Sequence, residues 1–212
     1  MIRTSHRYKR CCFLTRAVFL DRDGVINQKA PEGQYVTRWE DFEFLPGVVE
    51  GITLLNRASY YVIVVTNQRC IAKGLMTTAE LEEMHQRMSA FLARAGATID
   101  AIYYCPHEAE KFCNCRKPTP GMLLDAASSR GIDLPASWMI GDSDIDVEAG
   151  KNAGCKTARL LAPTETVDQS GRPGAPWNRA DIVAPSLLVA VRQILHCEGA
   201  TVGSFAVGPA VT

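Results

Sequence analysis

The sequence predicts an α/β fold with a single doubly wound, mostly parallel sheet. Two observations point there. Short apolar runs rich in β-branched residues alternate with longer stretches of helical periodicity. The first apolar runs also pass straight into acidic, amide or hydroxyl residues. That is the pattern expected where strands end at one carboxyl edge and right-handed crossovers gather those ends.

Ala17–Leu20 is the first strand. Pro46-Gly47 opens a helix that runs to about Arg57 and carries Val48, Ile52 and Leu55 on one face. Tyr60–Val65 is a strand continuous enough to be buried on both faces. Thr77 and Glu80 form a capping box ahead of a long helix that turns Leu81, Met84, Met88, Leu92 and Ala95 inward and ends at Gly96. Ile99–Tyr104 is the third strand, and a loop with clustered cysteines and the prolines Pro118 and Pro120 follows. Gly121–Arg130 is a helix, and Ser137–Ile140 is a fourth strand leading into Gly141-Asp142. Ile145–Ala153 is a helix and Thr157–Leu161 a fifth strand. Ile182-Val183 and the helix Ser186–His196 complete one domain over residues 17–198. Residues 1–16 read as a basic arm, Pro163–Arg179 as a surface loop and 199–212 as a flexible tail.

At 212 residues and 47% hydrophobic, the chain can form one good core. Its formal net charge is zero, so no global basic field favours nucleic acid or anionic membrane. No apolar run approaches the roughly 18 residues of a bilayer span. The basic arm has no apolar stretch of the secretory kind. The expectation is a cytoplasmic monomer that acts on a small molecule.

Leu20-Asp21-Arg22-Asp23-Gly24 carries the most chemistry. Two carboxylates two residues apart on an extended segment point to one side. They can share a divalent cation or divide nucleophile and acid/base roles. A solvated polar turn would use the same residues. Thr66 and Asn67 end the second strand with a hydroxyl and an amide suited to phosphoryl oxygens, or to an ordinary turn. Arg116-Lys117-Pro118 offers two cations in a proline-restrained loop. After the fourth strand, Asp142 can complete a magnesium site with Asp21, with Asp146 orienting it from behind, while Asp144 suits a helix first turn. Each segment has a bland reading alone, but together they match a phosphate and a hard cation.

Cys105, His107, Cys113 and Cys115 place three thiols and an imidazole within eleven residues. Such a set closes a tetrahedral, structural zinc site. Disulfide pairing is the alternative, but it leaves the histidine idle and strains a Cys-x-Cys ring. A zinc here would fix a loop poor in apolar residues and so hold Arg116 and Lys117. His85 reads as a half-buried structural histidine, and Cys70 and Cys155 as small core or loop residues.

The ordered set Asp21-Arg22-Asp23-Gly24, Thr66-Asn67, Lys117 and Gly141-Asp142 with Asp146 resembles the four motifs of the haloacid dehalogenase superfamily of phosphohydrolases. The resemblance implies that superfamily's Rossmann-like fold. It implies Asp21 as nucleophile and Asp23 as acid/base. Magnesium would sit on Asp21, the Asp23 backbone carbonyl and Asp142, with Thr66 and Lys117 holding phosphoryl oxygens. The zinc loop narrows the likeness to two bacterial branches, the heptose bisphosphate phosphatases and the histidinol-phosphatases, and several segments resemble the former more. That branch implies a sugar phosphate substrate, with Asn67, Gln68, Arg69, Arg116 and Ser143 toward it, no large cap, and a small flap over Gln28–Tyr35. One departure stands out. Cys70 occupies a position where the heptose branch has glycine, so a need for positive φ there would strain the loop. A non-catalytic zinc-stabilised module is the reading from a different class, and the full set of acids speaks against it.

Overall fold

A computed structural model describes residues 15–108, 112–161 and 180–199. All but the last two residues of the expected arm, the surface loop and nearly all of the tail lie outside these residues, as do Cys11 and Cys12. The strands are β1 (Ala17–Leu20), β2 (Tyr61–Asn67), β3 (Ala101–Cys105), β4 (Trp138–Gly141), β5 (Lys156–Leu160) and β6 (Ile182–Ala184). They form one sheet in the order β3-β2-β1-β4-β5-β6, with every neighbouring pair parallel. The chain therefore reverses its winding at β1, between β2 and β4, and ligands bind at such a switch point.

The helices are α1 (Val48–Arg57), α2 (Thr78–Arg94), α3 (Gly121–Arg130), α4 (Asp144–Ala153) and α5 (Leu187–Cys197). They divide between the two faces of the sheet. Val18, Leu20, Val62 and Val64 point to one face, where Ile52, Leu55, Leu81, Met88 and Val191 of α1, α2 and α5 cover them. Ala17, Phe19, Ile63 and Val65 point to the other, against Met122, Leu123, Ala126 and Ala149 of α3 and α4. The period-2 alternation of buried residues on β1 and β2 thus serves two cores, which is why these strands are apolar throughout.

The predicted elements recur in order, with small shifts. β2 runs two residues beyond Val65, so Thr66 and Asn67 belong to the strand and Thr66 is buried. The Thr77–Glu80 capping box is formed as expected. Ala95 departs from expectation, since it caps α2 from an exposed position and His85 is buried in the helix instead. Cys70 does not need positive φ. Among the described residues, Ser59 alone among non-glycines has it.

At the amino edge of the sheet, Glu198 at the end of α5 gathers several strand starts. Arg16 Nη1 donates to it at 2.6 Å, Trp138 Nε1 at 3.0 Å and Lys156 Nζ at 3.2 Å, and the Tyr60 hydroxyl also donates to it.

Candidate active site

At the opposite edge, the ends of β1, β2 and β4 open into a cleft of about 350 Å³. The Asp21 backbone N–H donates to the Ile140 carbonyl at 2.9 Å, which carries the β1–β4 pairing one step past the strand and sets Asp21 beside Gly141-Asp142. Two glycines permit the crowding that follows. Gly24 has φ of +91°, and a Cβ there would lie 2.4 Å from Asp142 Oδ2. A Cβ on Gly141 would lie 2.1 Å from the Asp146 Cβ.

Lys117 is 3% exposed, and its ammonium is fully committed. It donates to Asp21 Oδ1 at 2.8 Å and to the Val65 carbonyl at 2.7 Å, and pairs with Asp146 Oδ1 at 2.6 Å. Asn67 sets the height of this lysine. Its Nδ2 donates to the Lys117 carbonyl at 3.0 Å and its Oδ1 accepts from the Lys117 N–H at 3.1 Å.

Asp23 is held by three side chains. Arg22 Nη2 donates to both of its oxygens, at 3.0 and 2.9 Å. Asn27 Nδ2 reaches Oδ1 at 2.9 Å, and Gln68 Nε2 reaches Oδ2 at 3.0 Å. Arg22 itself is 1% exposed. Its Nη1 lies 3.4 Å from His85 Nε2 and 3.6 Å from Met84 Sδ, and its guanidinium sits 5.9 Å from the Phe42 ring centroid. Guanidinium only donates, so the facing His85 nitrogen is an acceptor and the ring is neutral. Burial and the neighbouring Arg22 charge push His85 down to about 3.

The acids divide electrostatically. Burial raises Asp21 to about 7, with Lys117 opposing and Asp146 and Asp23 adding to the rise. Burial also raises Asp142, opposed by Lys29, whose Nζ donates to Asp142 Oδ2 at 2.7 Å. Burial acts the same way on Asp23, but Arg22, Asn27 and Gln68 overcome it and hold that carboxyl below its ordinary value. Asp21, Asp142 and Asp146 each offer an oxygen, all within 4.8 Å of one another. Three hard oxygen donors gathered this closely fit a hard divalent cation.

The second donor set follows β3. The Cys105, Cys113 and Cys115 thiols and His107 Nδ1 lie within 4.8 Å of one another. Cys105 Sγ is 3.6 Å from His107 Nδ1 and 3.7 Å from Cys113 Sγ, and Cys115 Sγ is 3.3 Å and 3.5 Å from the same two atoms. A tetrahedron with zinc–sulfur and zinc–nitrogen bonds has edges of about 3.5–3.8 Å, so the set fits zinc. All three cysteines are free, and their sulfurs stand 3.5 and 3.7 Å apart, at the spacing of shared ligands and not of a disulfide bond.

Similarity to known proteins agrees with this geometry. A family model described as HAD-hydrolase-like matches residues 114–190. The D-glycero-β-D-manno-heptose-1,7-bisphosphate 7-phosphatase of Photorhabdus laumondii is 40% identical over 166 residues, covering 75% of this chain and 87% of the relative. The enzyme of the same name from Escherichia coli K12 is 38% identical over 168 residues, covering 76% and 86%. The crystal structure of the D,D-heptose 1,7-bisphosphate phosphatase of B. bronchiseptica, complexed with magnesium and phosphate, superposes with a TM-score of 0.75 at 35% identity. It covers 86% of this chain and 99% of that one. The chain belongs to the heptose bisphosphate phosphatase family of HAD-like hydrolases.

Within that family frame, the expected residues fall into two groups. Asp21, Asp23, Thr66, Asn67, Gln68, Arg116, Lys117, Asp142, Ser143 and Asp146 all border the cleft. Arg69 is not among its lining residues and faces Glu108 at 3.4 Å. The Asn67 and Gln68 amides are committed to protein partners, and the Ser143 hydroxyl donates to Asp146 Oδ2 at 2.6 Å in the α4 capping box. Arg116 Nη1 donates to the His107 carbonyl at 3.1 Å, which couples it to the thiol loop. Residues 29–36 wall one side of the cleft, where a flap was expected.

Sequence reasoning missed Arg22, Asn27, His85 and Lys29 as parts of the site. A signal existed for Arg22, because a residue between two alternating acids points away from them, into the core, where a cation needs partners.

Proposed function

We propose that this enzyme hydrolyses the 7-phosphate of D-glycero-D-manno-heptose 1,7-bisphosphate through an aspartyl-phosphate on Asp21. The observation that carries this reading is the convergence of Asp21, Asp23, Thr66 and Lys117 in one cleft, in a chain whose relatives bear that activity in their names.

Asp21 Oδ1 is oriented by Lys117, leaving the carboxylate to attack phosphorus as the ester P–O bond breaks. Asp23 gives the leaving alkoxide its proton, then takes one from the water that opens the aspartyl-phosphate and releases inorganic phosphate. Its resting bonds to Arg22, Asn27 and Gln68 keep it ionised, so it takes up a proton from solvent as the negative phosphate settles beside it, and only then acts as an acid. Thr66 offers a donor to a phosphoryl oxygen, and Lys117, whose three donors are taken at rest, exchanges its Asp21 bond for another as phosphate enters. Asp21, the Asp23 carbonyl and Asp142 would hold magnesium, which supplies positive charge to the reacting phosphoryl group. Asp146 orients Lys117 from behind.

Arg116, tied to the thiol loop, is proposed to receive the second phosphate, and zinc on Cys105, His107, Cys113 and Cys115 to hold that loop in place. Thiolate zinc ligands suit a reducing cytoplasm. No helix among the described residues is long and apolar enough to cross a membrane. We also propose a monomer, which light scattering tests.

The decisive experiment measures magnesium-dependent phosphate release from both anomers of heptose 1,7-bisphosphate and from histidinol phosphate. Preference for histidinol phosphate overturns the substrate, and full activity in Asp21→Asn overturns the mechanism.

A further inference from the structure

Gln68 is 2% exposed, and both hydrogens of its amide have partners. One goes to Asp23 Oδ2 at 3.0 Å and the other to Thr66 Oγ1 at 2.9 Å. One amide therefore spans the acid/base and the phosphate-binding hydroxyl. The Thr66 oxygen accepts from Gln68, so its own hydrogen is left to point elsewhere, toward the cleft that both residues line.

This arrangement holds only with the amide in one of its two orientations. Rotated by a half-turn, Gln68 would set its carbonyl oxygen against the Asp23 carboxylate, with two acceptors facing each other. The opposite end of the amide secures the same orientation. There the Cys70 thiol donates to Gln68 Oε1 at 3.5 Å. Cys70 is fully buried, and burial raises its thiol above the ordinary value, so it stays protonated and remains a donor. Cysteine enters the turn without positive φ, and glycine at this position would supply no donor.

We infer that Cys70 is a positioning residue for the hydrolysis: through Gln68 it fixes Asp23 and Thr66 in one mutual geometry. The inference rests on the proposed phosphatase reading. The Gln68 amide is thus a part of the acid/base machinery and not a contact to the sugar.

The test uses Cys70→Ala, which removes the donor, and Cys70→Ser, which keeps one. With magnesium and heptose 1,7-bisphosphate, Cys70→Ala lowers kcat about three- to tenfold, the range expected for one lost weak hydrogen bond, and leaves KM unchanged. Cys70→Ser stays within about twofold of the parent. A packing role alone would lower the melting temperature of both variants and leave kcat unmoved well below it. A second measurement does not involve turnover. The infrared S–H stretch assigned by difference against Cys70→Ala lies at a bonded position and moves to that of a free thiol in Gln68→Leu. Parental kcat in Cys70→Ala, equal impairment in Cys70→Ser, or an S–H band indifferent to Gln68→Leu overturns the inference. A parent protein that releases no phosphate from any sugar phosphate overturns the functional reading instead, and the infrared result still decides the thiol–amide contact.

Discussion

Asp23→Ala should destabilise the fold more than Arg22→Met, although the two residues are partners in one ion pair. The asymmetry comes from where each charge could go. Arg22 is 1% exposed and walled by Met84, His85 and Phe42, whereas the Asp23 side chain is 25% exposed at the cleft. Two charges at contact distance attract by about 4 kcal/mol at an effective dielectric of about 20. Removing Asp23 takes that attraction from a guanidinium that cannot reach water, and stranding a buried charge costs about 3–5 kcal/mol. Removing Arg22 leaves a carboxylate that keeps its Asn27 and Gln68 bonds and can hydrate, while methionine fills the pocket. That loss should be about 1 kcal/mol. The double variant Arg22→Met with Asp23→Ala should sit close to Arg22→Met alone. Urea unfolding with zinc retained and magnesium omitted reads all three. For a slope of about 2 kcal/mol per molar, Asp23→Ala moves the midpoint down by roughly 1.5–2.5 M. Equal losses in the two single variants, or additive losses in the double, would refute the argument that rehydration decides the cost.

Three further outcomes follow from other parts of the structure. The purified protein should contain one zinc per chain by metal analysis, and Cys115→Ser should lose it and lower kcat about tenfold or more, since Lys117 stands two residues on. His85 is held near 3 in the fold and is about 6.5 when unfolded, so its contribution is whole above about pH 6.5 and falls as pH drops toward 3. That amounts to roughly 2 kcal/mol by pH 5, and His85→Gln should remove this part of the pH slope in urea midpoints at pH 7.5 and 5. Glu198→Gln should cost about 2 kcal/mol, discounted for its partial exposure, with kcat/KM unchanged in the same phosphate-release assay.

The features legible in the sequence were those written locally. The β1 and β2 runs are apolar without interruption because they face two cores, and the 3.6-residue periodicity of α1 and α2 follows from covering one of them. The thiol cluster was legible because its ligands lie close along the chain. What escaped depends on contacts between distant segments. Arg22 meets His85 63 positions away, and Lys29 meets Asp142 across 113. Gln68 and Asn67 illustrate the limit well. Their types and positions suggested a ligand-facing surface, but the direction of each amide is set by Cys70, Asp23 and the Lys117 backbone, which no periodicity encodes. Ala95 failed for a smaller reason, since the helical stripe was extended one residue past where α2 ends.

The two edges of the sheet answer opposite demands. At the carboxyl edge, three acids share Lys117 and Lys29, and burial, reinforced by their mutual repulsion, raises Asp21 and Asp142 above their ordinary values. On the proposed reading such a site awaits charge brought by metal and substrate, and contributes little stability before they bind. At the amino edge, Glu198 lies at a helix C-terminus, where the dipole disfavours a carboxylate. Burial pushes its pKa up as well, but Tyr60, Trp138 and Lys156 hold it down, and with Arg16 they join α5 to strand starts on both sides of β1. The strands carry both sets of residues at their two ends. A carboxylate held in place at one end can therefore keep the register that gathers the crowded carboxylates at the other. Loss of Glu198 should loosen the fold before it alters the chemistry, whereas loss of Asp23 should do both at once.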